Sequence, residues 1–325
     1  MTVALFTLGG TIAMAGTGAG GVVSRLTGAD LTAAVPGLGE IPLDVRDVEA
    51  VPSAALAYRQ VLDLVDAAGA AVADGATGVV VTQGTDTLEE TAFLADLLWP
   101  HPEPLVFTGA MRNPTLAGPD GPANLLAAAR VAAAPAARDL GVLVAFNDEV
   151  HAARFARKTH STSTATLASP DAGPLGHVIE GAVRLLTRPP RHAPLPPVDR
   201  DRLAATRVAL HTVTLDDDPA LLDALTPGLD GLVVAGFGVG HVPPAFAPAL
   251  GALAARMPVV LASRTGAGPV LRDTYGAVGS ETDLRRRGLV CGGLLDPYKA
   301  KVLLRLLLAG GADRAAVAEA FTRHG

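Results

Sequence analysis

Cysteine is nearly absent from this 325-residue chain: Cys291 stands alone. One thiol excludes an intramolecular disulfide and a zinc site built on cysteines. Its neighbours, Leu289-Val290 and Gly292-Gly293, read as buried strand, so the thiol is expected to be an inert part of the core. Long apolar runs are missing too. No stretch of about 18 residues is free of charges and helix breakers, so no membrane span is expected. No basic segment precedes the first apolar run, and Val3–Thr7 is too short for the apolar region of a signal peptide. The simplest location is the cytoplasm. Basic residues are in deficit, with 26 Lys+Arg against 32 Asp+Glu and a net charge of −6. With no basic stripe, nucleic acid is not an expected partner. The one basic run, Arg285-Arg286-Arg287, reads as a solvated helix face.

What is present is apolar and rich in turns. The chain is 49% hydrophobic and 18% charged, which places it among globular proteins. Short Val/Leu/Phe runs at 3–7, 78–82, 104–108 and 141–146 alternate with helical patterns at about 54–73, 87–98 and 120–133. Such alternation implies parallel strands joined by crossover helices, and continuous apolar strands imply a sheet covered on both faces. Residues 187–200 hold five prolines in fourteen positions, a density that stops helices and inner strands, so a stiff linker is expected there. A second alternation follows, with strands near 207–214, 230–235 and 258–263 and helices near 219–225, 245–255, 296–309 and 313–323. The expected fold is therefore α/β, in two domains. Residues 1–186 form the larger, with a mostly parallel sheet flanked by helices; 187–200 form the linker; 201–325 form a smaller α/β domain.

Two apolar runs end in glycines and hydroxyls. Val3–Thr7 leads into Gly9-Gly10-Thr11, and Gly78–Thr82 into Gln83-Gly84-Thr85-Asp86-Thr87. This pattern sets the hydroxyls at the carboxyl edge of a sheet, where open α/β sheets bind ligands. A threonine hydroxyl is a weak nucleophile that needs a neighbouring base or cation. Asp86 beside Thr85 offers one partner, although an aspartate here also reads as a helix cap. Thr11 alone reads equally as a tight turn. Lys158, in Arg157-Lys158-Thr159, is a candidate base, since a desolvated lysine titrates lower, or else a surface charge. Gly236–His241 is glycine-rich after a strand but is not a dinucleotide fingerprint. Asp148, Glu149 and His151 lack metal-ligand spacing and read as a solvated turn.

Taken together these strings resemble the bacterial-type L-asparaginase family, the asparaginase/glutaminase enzymes of two α/β domains. Four segments match in order: Thr7–Ala13, Val81–Thr87, Arg157–Thr159 and Leu295–Lys301. The resemblance implies hydrolysis of the side-chain amide of L-asparagine through a threonine acyl-enzyme, with no metal or organic cofactor. It implies Thr11 as nucleophile and Thr85, Asp86 and Lys158 as the second catalytic group. Ser53 would bind the substrate α-carboxylate and Asp86 its α-ammonium. His241 would be a further contact, and Glu281 an acidic residue supplied across a subunit interface. A homodimer or homotetramer is thus expected. An amidotransferase subunit of related type carries an extra N-terminal domain, and a first signature starting at Thr7 ranks that reading last.

The chain also departs from the pattern. The family usually carries a tyrosine on a mobile lid after the first threonine, but residues 14–57 hold none. The stretch Ala15–Gly21 has the glycines of a lid, and the hydroxyls of Thr17 and Ser24 are poor substitutes for a phenol in proton transfer. Low activity or another relay is the expectation, and a catalytically silent amino-acid-binding protein is the alternative. Ala54 follows Ser53 where the family commonly has Gln or Glu. Losing such a contact to a charged group costs about 1.5–3 kcal/mol, or about ten- to a hundredfold in binding.

Overall fold

The computed structural model describes residues 2–15, 23–24, 27–33, 35–48 and 51–325. The chain divides into two compact units, 1–195 and 196–325. Most of the expected lid stretch, including Thr17, lies outside the described residues.

The first unit is built on an eight-stranded sheet. Its strands are β1 (Thr2–Thr7), β2 (Leu43–Asp47), β3 (Ala76–Thr82), β4 (Leu105–Thr108), β5 (Val142–Phe146), β6 (Glu149–Ala152), β7 (Gly176–Ile179) and β8 (Ala182–Leu185). They lie in the order β8-β7-β6-β5-β4-β3-β1-β2. The five strands from β2 to β5 pair in parallel, and β5 through β8 pair antiparallel. The crossovers carry helices α1 (Tyr58–Ala73), α2 (Leu88–Asp96) and α3 (Gly121–Ala133). Strand β5, with sequence VLVAF, is buried at every position. That is the composition a strand needs when helices cover both of its faces.

One apolar cluster, with Leu5, Val80, Val106 and Leu143, packs under α3. The other, with Phe6, Val81, Phe107 and Trp99, packs under α1 and α2. Trp99 is fully buried and its ring N–H donates to Glu103 O at 2.8 Å, so its one polar atom is satisfied.

The antiparallel extension corrects the reading of Asp148-Glu149-His151 as a solvated turn. Asn147 and Asp148 do turn, with φ of 52° and 60°. Glu149 then opens β6, and His151 is fully buried. The proline-rich stretch runs without regular structure from Thr187 to Asp199. Its first part is tied to the first unit: Arg188 Nη2 donates to Arg138 O at 2.7 Å, and Leu195 N to Leu97 O at 2.7 Å.

The second unit has a four-stranded parallel sheet, β9 (Val208–Thr212), β10 (Gly231–Gly236), β11 (Val259–Ser263) and β12 (Val290–Cys291), in that order. Its main helices are α4 (Phe246–Arg256), α5 (Glu281–Arg286), α6 (Pro297–Ala309) and α7 (Arg314–His324). The Asp296-Pro297 start of α6 is local chemistry. Asp296 accepts from the N–H groups of Tyr298 and Lys299, and proline occupies a position whose N–H would have no helical partner.

Candidate active site

The carboxyl ends of β1 and β3 meet. Thr7 pairs in register with Thr82, and Leu8 N donates to Thr82 O at 2.9 Å. Beyond the strands the two turns touch backbone to backbone. A Cβ placed on Gly10 would lie 2.3 Å from Gly84 N, and Gly10 has φ of 88°. Only glycine serves there, because both the space and the backbone angle exclude a side chain. Thr11 follows Gly10 and opens a single 3₁₀ turn, Thr11–Ala13, whose remaining residues are buried. Thr85 follows Gly84. The sequence thus brings its two candidate threonines to adjoining turns.

Ser53 closes the third side. Its Oγ lies 2.7 Å from where a Gly84 Cβ would sit and accepts from Asp86 N at 3.2 Å. Ser53 O accepts from Thr87 Oγ1 at 3.0 Å. Buried Gln83 braces the turn from below, donating to Thr87 Oγ1 at 3.2 Å and accepting from Thr91 Oγ1 at 2.8 Å.

Lys158 reaches the same place from a two-residue strand, Arg157–Lys158, paired with Leu167–Ala168. Its backbone N–H is fixed by Glu89 Oε2 at 2.8 Å. Its Nζ donates to Thr85 Oγ1 and to Asp86 Oδ1, each at 2.9 Å. Thr85 is buried, Lys158 is mostly buried, and the Asp86 side chain is 65% exposed. The result is a buried hydroxyl facing an ammonium, with a carboxylate at the mouth.

Two participants were not singled out in the sequence. Met111 Sδ accepts from Thr85 Oγ1 at 3.3 Å, and Glu89 anchors the backbone of Lys158. Met111 had a readable signal: it follows Leu105–Thr108 and Gly109, a third instance of a strand ending in glycine. Glu89 reads only as a helix N-terminal acid, and its long-range partner is invisible in the sequence.

His241 and Glu281 come together in the second unit. His241 closes a turn after β10, with Phe237 N donating to His241 O at 2.7 Å. Its Nε2 lies 3.2 Å from Glu281 Oε2. Glu281 is fully buried, and its Oε1 accepts from Thr274 N at 2.9 Å and Tyr275 N at 2.7 Å. Burial alone would raise this carboxyl. The backbone N–H groups of Tyr275, Glu281 and Thr274, together with His241, outweigh it and hold the group below the ordinary carboxylate range. The Tyr275 ring stands edge-on to His241, centroids 4.8 Å apart, and is half exposed. His241 and Tyr275 therefore present this cluster to solvent, while Glu281 holds it from within.

Sequence and structure comparisons agree on what the chain resembles. The family described as "Asparaginase, N-terminal" matches residues 2–191, and "Glutaminase/Asparaginase C-terminal domain" matches residues 207–321. A "Probable L-asparaginase" of Deinococcus radiodurans is 38% identical over 256 residues, covering 78% of this chain and 77% of its own. An "L-asparaginase" of Bacillus licheniformis is 32% identical over 317 residues, covering 94% and 95%. Among solved structures, a "Probable Cytoplasmic L-asparaginase" from Campylobacter jejuni superposes with a TM-score of 0.87 at 30% identity, covering 99% of both chains.

Proposed function

The chain belongs to the asparaginase family, and on that premise we infer that it is an L-asparaginase, an amidohydrolase converting L-asparagine and water to L-aspartate and ammonia. The observation that carries the reading in chemical terms is the Lys158 ammonium bound to both Thr85 and Asp86, on the turn that touches Gly10.

In the proposed reaction Thr11 Oγ adds to the side-chain amide carbon of the substrate. The C–N bond breaks, and the nitrogen leaves as ammonia with the proton that Thr11 gives up. The product is a β-aspartyl ester on Thr11. Water then adds to the ester carbonyl, the C–Oγ bond breaks, Thr11 regains its proton and aspartate departs. Thr85 and Lys158 orient and polarise first the amide and then the water. Asp86 uses Oδ1 for Lys158, and its exposed carboxylate is free to take the substrate α-ammonium. Ser53 accepts from Asp86 N, and its own hydroxyl proton has no acceptor among the described residues, which suits it to the α-carboxylate. With no tyrosine in residues 14–57, the proton relay from Thr11 differs from the family's phenol. His241 is a proposed substrate contact, and Glu281 is proposed to act through His241 and Tyr275. A cytoplasmic homodimer or homotetramer is proposed, the first supported by the name of the Campylobacter relative; light scattering reads the second.

The test is ammonia release from L-asparagine and L-glutamine, with Thr11→Ala and Thr85→Ala as comparisons. Activity on asparagine that vanishes in both folded variants supports the assignment. Full activity in either variant refutes the role given to that residue. Asparagine binding by calorimetry without ammonia release replaces the enzyme with a silent binding protein.

A further inference from the structure

The second unit holds a cleft of about 750 Å³ lined by none of the residues discussed above as site candidates. It lies between α5 and α7, over the edge strand β12. Four arginines line it, Arg272, Arg285, Arg286 and Arg314, against one acid, Asp273. In a chain of net charge −6 this is a local reversal of sign.

The arginines are unequally occupied. Arg285 Nη1 lies 2.8 Å from Asp273 Oδ1 and donates to Arg272 O at 2.6 Å. Arg314 donates to the carbonyls of Ala254 and Ala255 at the end of α4, neutral partners that leave its charge uncompensated. Arg272 and Arg286 form no ion pair among the described residues. Arg287, the third member of the basic run, turns to Asp283 at 3.0 Å and stands outside the cleft. The run therefore splits: one arginine serves its own helix, and its neighbours frame a recess.

The recess has an apolar floor of buried Leu289, Val290 and Cys291, with Ala315 and Ala318 of α7 as a low wall. Positive charge around a low-dielectric concavity focuses its field on whatever enters. Guanidinium groups pair with phosphate through two parallel hydrogen bonds, and several of them need a ligand with several negative charges. A monocarboxylate would engage only one. The volume falls within the range of about 300–1,000 Å³ usual for small-molecule sites. We propose that this cleft binds a small polyphosphate anion of nucleotide size, its phosphates on Arg272, Arg286 and Arg314 and any apolar body on the floor.

The experiment is isothermal titration calorimetry of the full-length protein at low salt, with ATP and with sodium tripolyphosphate as probes. The comparison is the double variant Arg272→Glu, Arg286→Glu. Both residues are exposed, so the variant should fold; its melting and its turnover of asparagine verify this. One ATP or one tripolyphosphate per chain is expected, with affinity falling as salt rises. Losing two charge-assisted contacts should weaken binding by about a hundredfold or more. Tighter binding of ATP than of tripolyphosphate would assign the floor to the nucleoside. No binding of either probe at millimolar concentration, or equal binding by the double variant, would overturn the proposal.

Discussion

Lys158 Nζ donates to Thr85 Oγ1 at 2.9 Å, and the consequence for the hydroxyl is directional. With the ammonium on its oxygen, Thr85 turns its own proton to Met111 Sδ at 3.3 Å, a weak acceptor. A stronger acceptor there would hold that proton; sulfur holds it only weakly. The same ammonium also donates to Asp86 Oδ1 at 2.9 Å at the mouth, so one side chain positions both the buried and the exposed polar group.

Replacing Lys158 by methionine should therefore lower kcat by about a hundred- to ten-thousandfold, the usual size of an acid–base contribution. Stability should move little, because an ion pair to a carboxylate this exposed contributes at most about 1 kcal/mol. Ammonia release and thermal melting on one preparation check both. A variant with activity intact removes Lys158 from the mechanism.

The contact between Gly10 and Gly84 makes a sharper steric prediction. Gly10→Ala forces a Cβ to within 2.3 Å of backbone at a φ of 88°, so it should cost more than the roughly 1–3 kcal/mol of backbone strain alone and separate the two turns. Activity should fall to background and the melting temperature should drop. Gly39→Ala is the control, since a Cβ there meets nothing within 4 Å. Equal behaviour of the two variants would show that the turns do not need to touch.

How much of this could be read beforehand depended on burial. Strands β1, β3, β4 and β5 were legible because helices cover both faces, and selection by burial leaves continuous apolar runs. Strand β2 was not: its sequence, LDVRD, lies at the sheet edge with Asp44 and Arg46 among its residues, and the pattern is that of a loop. Strands β7 and β8 escaped for the same reason, being short and half exposed. The threonines and Asp86 were legible because strand, glycine and hydroxyl follow one another in the chain. Lys158 has no such local pattern and alone reads also as a surface charge, so that only the resemblance of Arg157–Thr159 to the family's segment marks it. Glu89 was not, since its bond to the backbone of Lys158 spans 69 residues and leaves no local trace. Helix α5 shows only as the solvated helix face read at Arg285-Arg286-Arg287, because six residues of which four are charged carry too little apolar pattern to mark its bounds.

His151 should make the first unit acid-sensitive. It is fully buried, with Nδ1 3.0 Å from Ser169 Oγ and Nε2 3.2 Å from Glu149 without completing a hydrogen bond. Burial lowers its titration, Glu149 opposes this, His177 adds to it, and the result lies below the ordinary 6.5. The unfolded chain thus takes up a proton that the folded chain refuses. Stability is complete above about pH 6.5 and declines as pH falls toward the lowered value. Denaturant unfolding at pH 8 and pH 5 measures the difference. His151→Asn should lose stability at pH 8 yet show a smaller change between the two; an unchanged pH dependence would place the acid sensitivity elsewhere.

Glu281 predicts a second acid transition, lower and in the other unit. Its folded carboxyl titrates below the ordinary 4.5 because three backbone N–H groups and His241 favour the charged form over the burial that opposes it. Its stabilisation is therefore full above about 4.5 and is lost as pH falls through the lowered value. Hydrogen bonds to a buried charge contribute about 1.5–3 kcal/mol, so Glu281→Gln should destabilise by about that amount near neutrality. As pH falls through the lowered value the wild type loses the same charge, and the two proteins should converge. The variant also separates positioning from structure. If Glu281 orients His241 for substrate, KM for asparagine should rise at a pH and temperature where the variant is fully folded. If the carboxylate serves only to hold residues 274 and 275, stability alone should change. The amide can still accept from one of those N–H groups, which makes the loss of the charge, rather than of the loop, the quantity measured.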